Sequence, residues 1–475
     1  MDTQSQYNSK NAVLKAVAKP SDSACAYPVA LTDETMKERR EKVYSLMEQK
    51  GLDCLVIYAD LEHGANFEYL TGFLPRFEEA LLVLHKNRKA YLLLGNENLK
   101  FANYSRIDAS AIHVPCFSLP NQPTNSPFNM RELLEQAEIR KGIKIGLVGW
   151  KYFTGNLESN RSLFDIPYYI VQNIIDIIEN PSDVMNAADL FLCSPYGVRV
   201  TNNANEIAHY EFGSSLASNC VLQAMDELQT GKTEMEIANY LSRYGQHHNV
   251  ITICATGERF QNANIYPTDK KVLLGDRISL TSGYKGGLCS RAGYAVYSAD
   301  ELPAGVQDYL SVLAAPYFTS IVAWLENIHI GMRGGELYDL IEAVLPKSKY
   351  GWKLNPGHLT SDEEWLSSPI YKNSVETLTS GMLLQTDIIP SVTGYGGVGS
   401  EDGIALADEE LKFRIQDQYP VLWNKFERRR KHLENVLHIR IHPDVLLLSD
   451  TVGYYRPFFL NKDTAFVYEG PKTQG

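Results

Sequence analysis

Met36, Val43, Leu46 and Met47 recur at helical spacing behind Thr32, and Gly51 ends the pattern. That pattern predicts a helix with Thr32 as N-cap and Gly51 as its stop. The uninterrupted apolar run Cys54-Leu55-Val56-Ile57-Tyr58 then reads as a buried strand. Ala80 to Leu84 and Ala90 to Leu94 read as two more strands around a turn near Asn87. Lys144 to Val148 and Tyr168 to Val171 are expected to add others. Helix and strand patterns in alternation imply an α/β domain.

The pattern changes after two polar, turn-rich patches, Asn180-Pro181-Ser182 and Thr201-Asn202-Asn203. Glu206 to Leu228 predicts a long helix. Thr233 with Glu236 forms a capping box for the next one. Arg277 to Leu280 and Ala292 to Tyr297 read as strands joined through Tyr284-Lys285-Gly286-Gly287. Tyr309 to Leu325 is apolar but broken by Ser311, Pro316, Thr319 and Ser320, so it reads as a buried core helix rather than a membrane span. The basic run Arg428-Arg429-Arg430-Lys431 reads as a solvated helix face. The organisation expected is an arm over 1–30 with loose order, an α/β domain over 31–192, and a second domain over 193–475.

Charge and cysteine content narrow the classes. A net charge of −12 argues against a nucleic-acid partner, because phosphate binding needs a basic surface. The seven cysteines are scattered and lack Cys-x-x-Cys spacing. That pattern favours neither structural zinc nor a disulfide framework and points to a reducing, cytoplasmic compartment. The first residues are polar and lack the apolar core of a signal peptide.

Several motifs, in order, carry a resemblance. Asn66-Phe67-Glu68-Tyr69-Leu70-Thr71-Gly72-Phe73 comes first, followed by Asn205-Glu206-Ile207 and Gly231-Lys232-Thr233-Glu234. Pro267-Thr268, Gly275-Asp276, Asn355-Pro356-Gly357-His358 and Gly381-Met382-Leu383-Leu384 come next. The stretch from His442 to Leu460 closes the series. Together they resemble the superfamily of creatinase, prolidase, aminopeptidase P and methionine aminopeptidase. The resemblance implies an α/β N-terminal domain, an α+β pita-bread C-terminal domain, and a homodimer. It also implies a small-molecule or short-peptide substrate.

Active peptidases of that superfamily hold two divalent metals through two Asp, one His and two Glu. Two neighbouring cations need several anionic oxygens to offset their repulsion. By resemblance, the five ligand positions are held here by Thr281, Arg291, His358, Asp387 and Glu401. A further histidine of the family is replaced by Asn264. Thr281 is neutral, and Arg291 is a permanent cation that would repel a metal. Thr281 and Arg291 stand ten positions apart, one short of the usual interval, which leaves the register of this hairpin open.

Arg291 is expected to pair with Asp387 or Glu401, or else to clamp an anionic substrate group. His358, Glu401 and Asp387 are the candidate catalytic groups, with no cofactor. Arg291, Thr281, Asn264 and Arg76 are the candidate substrate contacts. His63 is a weaker candidate. Three activities fit this set. One is a metal-independent, creatinase-like hydrolase of a small C–N compound. Another is a pseudo-peptidase that binds without chemistry. The last is an Xaa-Pro-type peptidase with one metal at His358, Asp387 and Glu401.

Overall fold

The computed structural model describes residues 7–22, 27–122, 128–155, 159–262 and 266–470. The chain divides into two compact units. One comprises residues 31–199; the other comprises residues 1–30 together with 200–475.

Strand β1 (Ala12–Ala16) belongs to the second unit and is described with it. The first unit is a six-stranded mixed sheet. Its strands are β2 (Cys54–Ala59), β3 (Ala80–His85), β4 (Ala90–Leu94), β5 (Ser110–His113), β6 (Ile145–Val148) and β7 (Val184–Asn186), in the order β5-β4-β3-β2-β6-β7. β2, β3 and β4 form an antiparallel meander, while β5, β6 and β7 join in parallel. β2 and β3 are buried along their whole length, which explains their continuous apolar runs. The helix Asp33–Lys50 begins at the Thr32 cap, whose side chain accepts the Thr35 N–H. It ends at Gly51, at φ 65°.

The sequence expectation fails at Tyr168 to Val171, which is not a strand but the start of the helix Tyr168–Ile178. Its buried positions 170, 171, 174, 177 and 178 follow the helical period. A four-residue window of bulky residues cannot display that period. Backbone bonds from Val198 to Leu190 and from Arg199 to Phe191 hold residues 193–199 in this unit, and the Arg199 guanidinium reaches Asn66 at 2.8 Å. The contact boundary therefore falls after Arg199 rather than after residue 192.

The second unit contains two four-stranded sheets. The first holds β8 (Ile253–Thr256), β9 (Arg277–Tyr284), β10 (Gly287–Tyr294) and, from further along the chain, β13. The second holds β11 (His358–Leu359), β12 (Leu383–Gln385), β14 and β15. The remaining ranges are β13 (Gly399–Glu401), β14 (Gly403–Leu406), β15 (Val445–Leu447) and β16 (Thr464–Tyr468). The segment expected as a loose arm instead contributes β1, which pairs antiparallel with β16 from Ala12–Tyr468 to Ala16–Thr464. Polar composition concealed it because this strand is only half-buried.

The helix Ala204–Glu227 is buried on nearly every face and lies along the β9–β10 hairpin. Gly213 makes the approach possible, since a Cβ there would stand 1.9 Å from the Lys285 carbonyl oxygen. Gly286, at φ 101°, meets the same helix at the Tyr210 carbonyl. The basic run lies on the helix Pro420–Val436, but Arg429 is not solvated. It is 3% exposed and bonds Glu211 at 2.6 Å and Asp450 at 3.2 Å, and Lys425 joins Glu211 at 3.3 Å. One face of this helix looks inward to buried acids, so a run of four basic residues spans both environments.

No helix among the described residues is long and apolar enough to cross a membrane. The seating of the hairpin turn on the helix predicts that Gly213→Ala destabilises the protein by about 2–3 kcal/mol in denaturant unfolding, as overpacking does. A loss well under 1 kcal/mol would mean that the turn is not seated there.

Candidate functional site

Strand register decides which side chains meet. Thr281 on β9 is opposite Ser290 on β10, and Ser290 is opposite Glu401 on β13. Directly paired positions share one face of an antiparallel sheet, so these three lie together. The Thr281 and Ser290 hydroxyls hydrogen-bond each other at 2.8 Å. The neighbour of Thr281 is therefore Ser290, and Arg291, one position on, turns to the opposite face.

Arg291 is 1% exposed, and protein groups accept all five of its N–H donors. Its Nε bonds the Tyr454 carbonyl at 3.1 Å. Nη1 bonds the carbonyls of Ser290 at 2.9 Å and Glu401 at 3.0 Å. Nη2 bonds Asp402 at 2.6 Å and the Thr451 carbonyl at 2.7 Å. Two expectations are corrected here. The ionic partner is Asp402, not Asp387 or Glu401, and no donor remains to clamp an anionic substrate. Asp402 also accepts the hydroxyls of Ser449 at 2.9 Å and Thr451 at 2.6 Å, so this buried pair is fully hydrogen-bonded.

The second sheet supplies the titratable groups. Gly357, at φ 137°, precedes β11, and a Cβ there would crowd the Gln385 carbonyl at 2.9 Å. The Trp324 indole N–H fixes the preceding turn through the Pro356 carbonyl at 2.7 Å. His358 is thereby set opposite Gln385 on β12, with Asp387 just beyond that strand. The His358 side chain is completely buried and stacks on Trp365 with ring centres 4.2 Å apart. Its Nε2 lies 3.2 Å from Glu364 Oε1, an ion-pair separation whose angle falls short of a good hydrogen bond.

Asp387 is 5% exposed, and its Oδ1 has no hydrogen-bond partner. It is hydrogen-bonded to Glu401, whose carboxyl end is packed although part of the residue reaches the surface. Burial pushes the Asp387 carboxyl from 3.8 up to about 6; His358 opposes the rise and Glu364 adds to it. Burial also holds Glu401 well above the ordinary range, with Asp387 and Glu364 as the next causes. His358 shifts upward because Glu364 and Asp387 together outweigh burial, which alone would lower it. Two carboxyl groups in contact cannot both ionise cheaply, which is why Asp387 and Glu401 are raised together, beside an imidazole whose pKa is also raised.

The structure thus brings His358, Asp387 and Glu401 together, with Thr281 on the face that carries Glu401. It adds Glu364 and Ser290, which sequence reasoning did not single out. The nearness of Glu364-Trp365 to Gly357-His358 was the available signal. Arg76 lies in the other unit, where its guanidinium donates to the Leu61 carbonyl at 3.4 Å. His63, also in that unit, stacks on Trp150 and faces Asp60. Asn264 lies outside the described residues.

The dinuclear centre of the superfamily does not fit this donor set. Two neutral hydroxyls bonded to each other stand at the hairpin. Among the described residues, no group of three or more His, Cys, Asp or Glu side chains is arranged to hold a metal.

Comparison with known proteins agrees with this architecture. Residues 39–112 match the Creatinase/Prolidase N-terminal domain family. The Xaa-Pro dipeptidase from Bacillus anthracis superposes with a TM-score of 0.60 at 16% identity, covering 79% of this chain and 96% of that one. The prolidase from Pyrococcus furiosus gives 0.58 at 16% identity, covering 77% and 96%. The X-Pro aminopeptidase from Thermotoga maritima gives 0.58 at 16% identity, covering 78% and 95%. No curated protein matches by sequence. The fold is that of the creatinase, prolidase and aminopeptidase P superfamily, an N-terminal domain followed by a pita-bread domain.

Two stability predictions follow from these charges. Asp402→Asn leaves the Arg291 cation buried with weakened compensation and is expected to destabilise by about 3–5 kcal/mol in denaturant unfolding. Asp387 behaves in the opposite sense. Its raised folded pKa means that its contribution is present below pH 3.8 and is lost as pH rises through about 6. Asp387→Asn is therefore expected to match the parent at pH 4 and to exceed it by about 1–3 kcal/mol at pH 8. Equal differences at both pH values would refute the shift.

Proposed function

We propose that this chain is a metal-independent hydrolase of a small C–N compound: an amide, an amidine or a dipeptide-like molecule. The observation that supports it is the contact between the buried Asp387 and Glu401 carboxyl groups near the completely buried His358, an arrangement that raises the pKa of all three. Asp387, titrating near neutrality, takes a proton from water as the oxygen attacks the carbon. The protonated Glu401 donates a hydrogen bond to the charge that develops on the attacked group. His358 gives its proton to the leaving nitrogen as the C–N bond breaks, and the proton on Asp387 then restores the imidazolium. Water is consumed, and an amine and an acid (or its amide or urea analogue) are released.

Xaa-Pro dipeptides enter the screen because the superposed structures carry dipeptidase and prolidase names. The proposed assembly is a homodimer in which Arg76 reaches substrate, in a reducing cytoplasm. The six free cysteines among the described residues support that compartment. A second reading, a pseudo-peptidase that binds without turnover, draws support from the complete burial of His358 under Trp365.

The test is hydrolysis of amides, amidines and Xaa-Pro dipeptides by purified protein, with excess chelator and separately with manganese or zinc. Turnover should persist in chelator, and His358→Ala or Glu401→Gln should lower kcat at least about 100-fold with the fold intact. Activity that appears only with one bound ion per chain would replace this reading with the single-metal peptidase. Binding of the same compounds without turnover would favour the pseudo-peptidase.

A further inference from the structure

The helix Ala204–Glu227 carries a polar stripe through an otherwise apolar core. Glu211, Ser215, Asn219 and Asp226 recur at intervals of four or seven, so they share one helix face. Arg429 occupies the start of the stripe, where it bonds Glu211 and Ser215. At the far end stands Arg456, completely buried, which donates from Nη1 to Asp226 at 2.8 Å. Between them, the buried Asn219 amide has neither end bonded among the described residues.

Arg456 has one edge uncommitted. Its Nε and Nη2 are shielded from solvent, and among the described residues no protein group accepts from either. These nitrogens carry the two parallel N–H groups with which a guanidinium grips an anion. The buried Tyr454 hydroxyl also has no hydrogen-bond partner among the described residues. Burial is the main cause of its raised pKa and Arg456 the next, which sets the guanidinium near the hydroxyl.

The local charge is unbalanced in the same direction. Asp226 is shared, because its other carboxylate oxygen takes Lys19 at 3.1 Å. Lys462 bonds the Asp226 backbone carbonyl, and the neighbouring Glu227 is committed to Lys232 at 3.0 Å. Three cations therefore gather on one carboxylate. Buried donors are almost always met, and a buried cation needs a matching charge. Water meets the donors but leaves the charge, whereas a small anion meets both. The cost of burying an ion climbs steeply with its charge, which disfavours phosphate and sulfate.

We infer that Arg456 and Tyr454 form an internal site for a small monovalent anion of the chloride type. The site is separate from the proposed hydrolysis and does not rest on it. Bound there, the anion ties the end of the long helix to residues 454–456. The Tyr454 carbonyl in turn accepts Arg291 Nε at 3.1 Å, so the ion braces the buried arginine network from behind.

The experiment is urea unfolding of the full-length protein as chloride replaces gluconate at constant ionic strength. A ligand held only by the folded state lowers the unfolding constant about tenfold for each tenfold rise in its concentration above the dissociation constant. The parent should show that dependence, and Arg456→Gln should lose it. Tyr454→Phe should need about tenfold more chloride for the same stabilisation, the worth of one hydrogen bond to a charged group. It carries the test alone if Arg456→Gln does not fold. In crystals, bromide should place its anomalous signal within hydrogen-bonding range of Arg456 Nε and Nη2.

A parent that ignores chloride overturns the inference and assigns water to these donors. A parent-like chloride dependence in Arg456→Gln or Tyr454→Phe overturns it too, as does bromide bound only elsewhere. An arginine that serves only as a structural pillar would lower stability by one factor at every chloride level. None of these readouts involves turnover, so failure of the hydrolase reading leaves them intact.

Discussion

The buried Arg291–Asp402 pair fixes the middle of the C-terminal unit. Its guanidinium ties β10 to β13 through the Glu401 carbonyl and to the closing segment through the Thr451 and Tyr454 carbonyls. Such a group cannot be half-satisfied, because an unmet buried charge is far more expensive than an unmet surface one. With every donor assigned, the two strands have one workable register. That register puts Ser290 and Glu401 on the face opposite the arginine. The acid cluster can then lie close to a strong cation without being discharged by direct contact with it.

The same constraint shapes the cluster itself. Four ionisable side chains, His358, Glu364, Asp387 and Glu401, occupy a space from which most water is excluded. The low-energy solution is to limit separated charge, and burial with mutual contact accordingly raises the pKa of Asp387 and Glu401. Elsewhere in the unit a different solution appears, with Arg429 and Lys425 set against Glu211 and Asp450. There the buried acids are matched by cations within salt-bridge distance. Matched cations make a scaffold, whereas carboxyl groups of raised pKa make a place where acid–base chemistry can occur.

Much of this was legible in the sequence, and the failures have physical causes. The Thr32 and Gly51 caps and the Thr233–Glu236 box are local signals, and the structure places each of them as expected. His358, Asp387 and Glu401 could be nominated from motif order alone. Their protonation pattern could not, because it depends on contacts between segments far apart in the chain. Register was the hidden variable at the hairpin. A shift of one residue turns a side chain to the other face of the sheet, and sequence spacing could not tell Ser290 from Arg291 as the neighbour of Thr281. Tyr168 to Val171 misled for another reason: a short bulky run suits a strand and a helix equally well until a second turn is visible.

The β1–β16 ladder brings residues 12–16 against residues 464–468, so a sheet of two strands spans almost the full described chain. The unit of residues 31–199 therefore lies, in chain order, inside the other unit as an insertion. During synthesis the strand at residues 12–16 must wait until residues 464–468 have left the ribosome before its partner exists. The interrupted unit then matures last although it starts first. Until then, the backbone edge of residues 12–16 stays open to any other strand that can pair with it.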